Sequence, residues 1–167
     1  MAILDFTRGN NTVLADGKPH PPLMENVVDF SISNGASADV ATMLDVPKGI
    51  WVVCVAIEIL TVEGGTLTVD VGDGVDPDGY IDGVDMDATV GDIYSSVVPH
   101  SFVDTAGDTV TPAANDETDF GIIGGKFYTT ADTIDILINN AADAAVMRLT
   151  AEVKDMQGSM TFGIAKN

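Results

Sequence analysis

The sequence predicts an all-β protein, a single-domain β-sandwich of jelly-roll type with an extended N-terminal arm. Three observations lead there. The first is length with composition: 167 residues suffice for one domain with a substantial core, and 46% hydrophobic residues at a formal charge of -19 describe a globular interior under an acidic surface, not a disordered acidic chain. The second is apolar alternation with a period of two, in Leu67, Val69 and Val71 and again in Ile134, Ile136 and Ile138. The third is the punctuation of these runs by Gly, Asp, Asn and Pro, which gives seven or eight short strands with long polar connections.

Residues 1–25 contain Gly9-Asn10-Asn11, Asp16-Gly17 and Lys18-Pro19-His20-Pro21-Pro22, turn and polyproline signals without sustained periodicity. They are assigned to the arm, and residues 26–167 to the sandwich. The arm holds Arg8, Lys18 and His20 and is nearly neutral, which suits docking onto an acidic neighbour. Residues 27–32 read as a strand that stops at Asn34-Gly35. Residues 40–46 fit a short helix or a strand, closed by the turn Pro47-Lys48-Gly49. Residues 50–62 form a long strand rich in β-branched residues, apolar on both faces in its first half, as in a central strand covered on each side; a second subunit could supply one cover.

Glu63-Gly64-Gly65 reads as a hairpin turn into a strand over residues 66–71, the clearest amphipathic run in the chain. Residues 72–92 read as a loop rich in Gly and Asp with short extended pieces, and residues 104–119 as polar and turn-rich with a brief extension at Thr109-Val110-Thr111. Residues 126–130 and 133–138 read as a second hairpin. In residues 141–156, Ala145, Leu149, Val153 and Met156 keep a helical period while Met147, Leu149, Ala151 and Val153 keep a strand period. The turn-like residues 139–143, after a strong strand that needs a neighbour, favour a strand over 146–154.

Charge and motif content narrow the function. Between Lys48 and Lys126 there is no Lys or Arg but there are fifteen Asp and Glu, so nucleic acid is a poor partner and divalent cations or basic protein patches are better ones. No apolar run is long enough to span a bilayer, and the first eight residues, Met1-Ala2-Ile3-Leu4-Asp5-Phe6-Thr7-Arg8, lack a secretory signal, so synthesis in a cytosol is expected. Cys54, the only cysteine, lies in the apolar run and reads as a buried, inert thiol. Neither His20 nor His100 is placed beside a nucleophile, and Gly124-Gly125-Lys126-Phe127 lacks the features of a phosphate-binding loop; its glycines read as shaping a bulge. Trp51 reads as packing rather than as a sugar platform.

The succession Leu44-Asp45-Val46-Pro47-Lys48-Gly49, a hydrophobic strand, and then Gly65-Thr66-Leu67-Thr68-Val69-Asp70-Val71-Gly72-Asp73-Gly74-Val75-Asp76-Pro77-Asp78-Gly79-Tyr80 resembles a group of tailed-phage virion proteins. The resemblance covers roughly residues 40–155, with its specificity concentrated in 65–85. It implies a β-sandwich structural component, often trimeric, of the capsid decoration, cement or fibre kind.

The expected role is a capsid decoration or cement protein that binds the outer surface of the major capsid lattice and stabilises the head. It is expected to be made in the host cytoplasm and carried on the virion surface, with itself as a homotrimer and the major capsid protein as partners, and without nucleic acid, membrane or catalysis. A tail or head fibre module that binds receptors, and a calcium-dependent carbohydrate-binding sandwich, are the alternatives. Asp73, Asp76, Asp78 and Asp82 are the candidate ligands of a calcium or magnesium ion, because hard cations take clustered carboxylate oxygens. In a calcium-loop register Asp76, Asp78, Asp82 and Asp85 fall at ligand positions, but Gly74 stands at the first and the flanks read as strands. The competing reading is a turn motif in which Asp side chains accept hydrogen bonds from nearby amides.

Overall fold

A computed structural model describes residues 3–5, 23–96, 102–103, 109–110 and 125–156, and side chains within 23–96 and 125–156. Among the described residues every regular element is a strand: β1 (Ile3–Asp5), β2 (Leu23–Asp29), β3 (Val40–Val46), β4 (Ile50–Thr61), β5 (Thr68–Asp73), β6 (Ile81–Asp85), β7 (Ile93–Ser95), β8 (Phe102–Val103), β9 (Thr109–Val110), β10 (Lys126–Phe127), β11 (Asp132–Ile138) and β12 (Val146–Asp155).

Eight of these pair in a nested way, β2 with β12, β3 with β11, β4 with β7 and β5 with β6, all antiparallel. The nest folds over itself into two sheets, β3-β11-β5-β6 and β2-β12-β4-β7, which is the strand order of a jelly roll. Two short strands extend the edges. β1 adds in parallel to β3, and β10 takes the half of the β4 edge that β7 leaves open. A separate small hairpin joins β8 and β9.

The alternation read in the sequence decides which side of each strand is buried. Leu67, Val69 and Val71 face inward, as do Ile134, Ile136 and Ile138, and they meet Ile57, Ile59, Met147 and Leu149 of the opposite sheet in one core cluster. A fully buried Leu or Ile of this kind contributes about 1.5–3 kcal/mol of transfer free energy. Residues 40–46, left between helix and strand, form β3, because Ala41 and Met43 supply an inward row opposite β11. The preference for a strand in 146–154 is met by β12, whose Met147, Leu149, Ala151 and Val153 are all buried.

Connectivity departs from the sequence reading in three places. Glu63-Gly64-Gly65 is no hairpin turn, since β4 and β5 belong to opposite sheets and the segment crosses between them. The hairpin expected from residues 126–130 and 133–138 does not form either: β10 pairs with β4 through Lys126↔Val52 and Phe127↔Trp51, while β11 pairs with β3 and β5. β12 likewise follows β11 in sequence without touching its ladder, taking β2 and β4 as neighbours. In a jelly roll most successive strands alternate between sheets, so a turn signal marks a crossover as often as a hairpin.

β4 is also less enclosed than its composition suggests. Val52, Val55, Ile57 and Ile59 enter the core, but Trp51, Val53, Cys54 and Ala56 are half-buried on the outer side. A register shift against β12 at Glu152/Val153 sets Cys54 opposite Glu152, so the thiol is no core residue; partial burial, with the nearby Glu152 charge, pushes its pKa up. Of the expected arm, Ile3–Asp5 and Leu23–Glu25 lie in the ladders of β1 and β2; residues 6–22, with Arg8, Lys18 and His20, fall outside the described residues, as does His100.

Gly72 marks the tightest approach between backbone segments near the acidic loop. A Cβ there would lie 2.0 Å from the Asp76 carbonyl oxygen and 2.2 Å from the Pro77 carbonyl carbon. Backbone cannot swing aside as a side chain can, so Gly72→Ala is expected to lower the melting temperature sharply. Gly65→Ala, where a Cβ meets nothing within 4 Å, is the control expected to change it little; differential scanning fluorimetry of the two variants makes the comparison.

Candidate functional site

The most concentrated polar chemistry among the described residues lies between the sheets at the end where β5 finishes and β4 begins. Asp73, the last residue of β5, is 3% exposed although it is ionisable. One carboxylate oxygen, Oδ1, accepts hydrogen bonds from the amides of Val75 (3.0 Å) and Asp76 (3.1 Å), which curls the following loop back over the strand end. The other, Oδ2, accepts from Lys126 Nζ and from the Tyr128 hydroxyl (2.8 Å), both delivered by β10 and its extension along β4. Tyr128 in turn shares a 2.8 Å hydrogen bond with the Tyr80 hydroxyl, and Lys126 Nζ also sits 5.4 Å from the centre of the Tyr128 ring.

Electrostatics match this geometry. Burial alone drives the Asp73 carboxyl upward, but the Lys126 ammonium, the Val75 amide and the Tyr128 hydroxyl outweigh it and hold the group below the usual aspartate value. Both tyrosines are pushed up, chiefly by burial and further by the neighbouring Asp73 charge, so they stay protonated hydroxyls. The arrangement is closed. Four donors serve two oxygens, the lysine is engaged as a counter-ion, and each polar atom has its partner within the group. Such a centre ties two sheets together; it presents no nucleophile with a base beside it.

The candidate metal ligands have varied surroundings in this fold, and Asp73 and Asp76 adjoin, the Asp76 amide donating to Asp73 Oδ1 at 3.1 Å. Asp73 points inward to Lys126, Asp82 lies in β6, and Asp76 packs its carboxylate under Gly79, where a Cβ would meet its Oδ2 at 2.7 Å. Among the described residues, no group of three or more His, Cys, Asp or Glu is arranged to hold a metal ion. The turn chemistry that competed with the cation reading is visible in several places. Asp73 caps the loop through two amides, Asp70 accepts from the Gly83 amide (2.8 Å) and from Asn139 Nδ2 (2.9 Å), and Asp85 accepts from the Asp87 amide (2.9 Å).

The opposite end of the sandwich is closed by Glu63. Its carboxylate accepts from three successive amides, those of Asp143 (2.8 Å), Ala144 (3.1 Å) and Ala145 (2.7 Å), and so clamps the β4–β5 crossover onto the β11–β12 crossover. Partial desolvation raises its pKa and these hydrogen bonds lower it by more, leaving it below the usual glutamate value. Sequence reasoning assigned Glu63 to a turn and did not single out Lys126, Tyr128 or Tyr80. One signal was there for Lys126: it is the only cation from residue 49 to residue 147.

The outer face of the β2-β12-β4-β7 sheet is the other feature with functional bearing. Arg148 lies between Glu58 (Nη1 to Oε2, 3.3 Å) and Glu25 (Nε to Oε1, 3.9 Å), a cross-strand pairing on a solvent-facing surface worth about 1 kcal/mol or less. Val27 and Ile93, beside this cluster in the ladders, are 39% and 48% exposed, and Phe127, farther along the sheet and directly opposite Trp51, is 47% exposed.

Comparison with known proteins gives no matching family model. No curated protein matches either. Among solved structures, a chain in the capsid of Ralstonia phage GP4 superposes with a TM-score of 0.54 at 13% identity, covering 91% of this chain and 97% of that one. A second similarity, to the acid-stable capsid of Helicobacter pylori bacteriophage KHP30, has a TM-score of 0.41 at 16% identity over 78% of this chain and 83% of that one. The first shows that the whole fold, and not a fragment of it, recurs in a phage capsid chain.

Lys126→Met strands a buried carboxylate and is expected to destabilise by about 3 kcal/mol, whereas the double variant Asp73→Asn/Lys126→Met recovers most of the loss. Urea unfolding of the three proteins measures this. Because folding lowers the Asp73 pKa, its stabilisation is fully present above the ordinary value of 3.8 and is lost as the pH falls through the lower folded value. The stability gap between the native protein and Lys126→Met is therefore widest near neutral pH and closes below about pH 4.

With Asp73 already neutralised by Lys126, melting is expected to be the same in calcium and in EDTA. A calcium-dependent rise would mean that the folded protein binds the ion.

Proposed function

We propose that this chain is a phage capsid decoration or cement protein: a homotrimeric jelly roll that binds the outer surface of the major capsid lattice and stabilises the head without catalysis. The observation that carries the reading is the near-complete superposition on a chain of the Ralstonia phage GP4 capsid, which spans 91% of one chain and 97% of the other. Two features of the molecule support it. Buried Asp73 at one end and partly exposed Glu63 at the other are consumed in holding the sheets together, and its outer sheet face carries uncovered Val27, Ile93, Phe127 and half-buried Trp51, side chains that gain by meeting other protein.

The mechanism is additive burial. One copy docks weakly, but a trimer that bridges neighbouring capsomers engages several sites at once, and linked contacts raise the effective affinity far above that of any single one. The acidic surface keeps free trimers from clumping and off the packaged nucleic acid, while leaving attraction to basic patches on the shell.

Removing the gene from its phage is expected to leave heads that assemble but burst at a lower temperature, with purified protein restoring the native burst temperature. Cryo-electron microscopy of the intact particle is expected to show density from this chain on every capsomer. A few copies confined to a vertex or to the tail would overturn the decoration role in favour of a fibre.

A further inference from the structure

The pairing of β1 separates it from the rest of the fold. Every other ladder of the described strands is antiparallel, whereas Ile3–Asp5 lies parallel to Val40–Thr42 in the register Ile3↔Val40, Leu4↔Ala41 and Asp5↔Thr42. A parallel pair cannot come from a tight turn and needs a connection of a dozen residues or more; here residues 6–39 join the two strands, β2 lying among them, and residues 6–22 supply the seventeen that precede β2. Such a length, fully extended, reaches about 55 Å, more than the width of a small domain. β1 is three residues long and occupies the outer edge of β3, an edge whose amides and carbonyls stand open without it.

We propose that this edge is filled in trans: Ile3–Asp5 of one copy adds as a strand to β3 of the next, while the segment of the preceding copy fills the β3 edge of the first. The hydrogen bonds are the same whichever chain provides the strand, so exchange costs no ladder bonds. The long connection makes closure onto the chain's own edge only weakly preferred, since loop entropy changes slowly with length.

Charge selects another copy of this chain as the source. Residues 1–22 carry Asp5 and Asp16 against Arg8 and Lys18, a net charge of zero, so the whole formal charge of -19 resides on residues 23–167. The segment thus approaches a second copy without the repulsion that the acidic body meets, and it brings two cations toward an acidic surface. Head-to-tail donation of this kind is a heterologous contact, which closes into a ring when the rotation between copies permits.

The inference deepens the self-association in the function proposed above and does not depend on capsid binding. Asp5 and Thr42 are register partners, and Cys54 is the only native cysteine. The full-length protein carrying Asp5→Cys, Thr42→Cys and Cys54→Ser, oxidised at low concentration, is expected to run as reducible multimers on a non-reducing gel, with light scattering of the native protein giving an oligomer. An internal disulfide confined to single chains, or no disulfide at all, would overturn strand exchange. If light scattering still reports a trimer in that case, self-association through another surface stands; if it reports a monomer, the trimer falls as well. Docking on the shell is judged separately by the particle experiments.

Discussion

A carboxylate buried between two sheets needs positive charge and donors close at hand, and in this chain the supply is almost nil. From residue 49 to residue 147 Lys126 is the only cation, and it is spent on Asp73. The position of β10 follows. A two-residue strand has little ladder of its own, but Lys126 at 32% side-chain exposure reaches a partner at 1%, and Tyr128 follows it into the core to bond both Asp73 and Tyr80. The β5 end, the loop after it, and the return of the chain to the β4 edge are thereby fixed by one ion pair and its hydroxyl neighbours. Its value lies in the cost of breaking it, because either partner left alone faces a low-dielectric interior.

At the far end a carboxylate that is only partly buried is held without a cation. Glu63 takes three consecutive amides, so the positive ends of peptide dipoles replace a lysine. Much of the acidity in this sequence is used in this local manner. Asp29, Asp39, Asp85 and Asp92 each accept a hydrogen bond from an amide two or three residues away, stabilising turns that a jelly roll requires in number. The acidic composition is thus in part a turn vocabulary, and only in part a surface property.

The internal accounting of charge also shapes what the molecule offers to others. The Asp73 and Glu63 carboxylates are satisfied within the fold, while uncovered side chains such as Phe127 and Val27 lie on one sheet face and an open strand edge is completed by a segment near the N-terminus. A protein built this way interacts through surfaces and edges. That is the common ground between the proposed role on a shell and the exchange of β1 between copies.

The sequence by itself determined the inward faces of the clearest strands, because alternation is a local property: Leu67, Val69 and Val71, or Ile134, Ile136 and Ile138, read correctly without knowledge of any partner, whereas residues 40–46 and 141–156 kept a helical alternative. It also determined the sandwich class, through the spacing of turn residues. Sheet membership was decided only by the tertiary structure, since a turn such as Glu63-Gly64-Gly65 looks the same whether the chain folds back on its neighbour or crosses to the other layer. The inward turn of Asp73 toward Lys126, across 53 positions, and the outward turn of Cys54 at a register shift were settled there too. Each depends on contacts between residues far apart in sequence, and no periodicity records those.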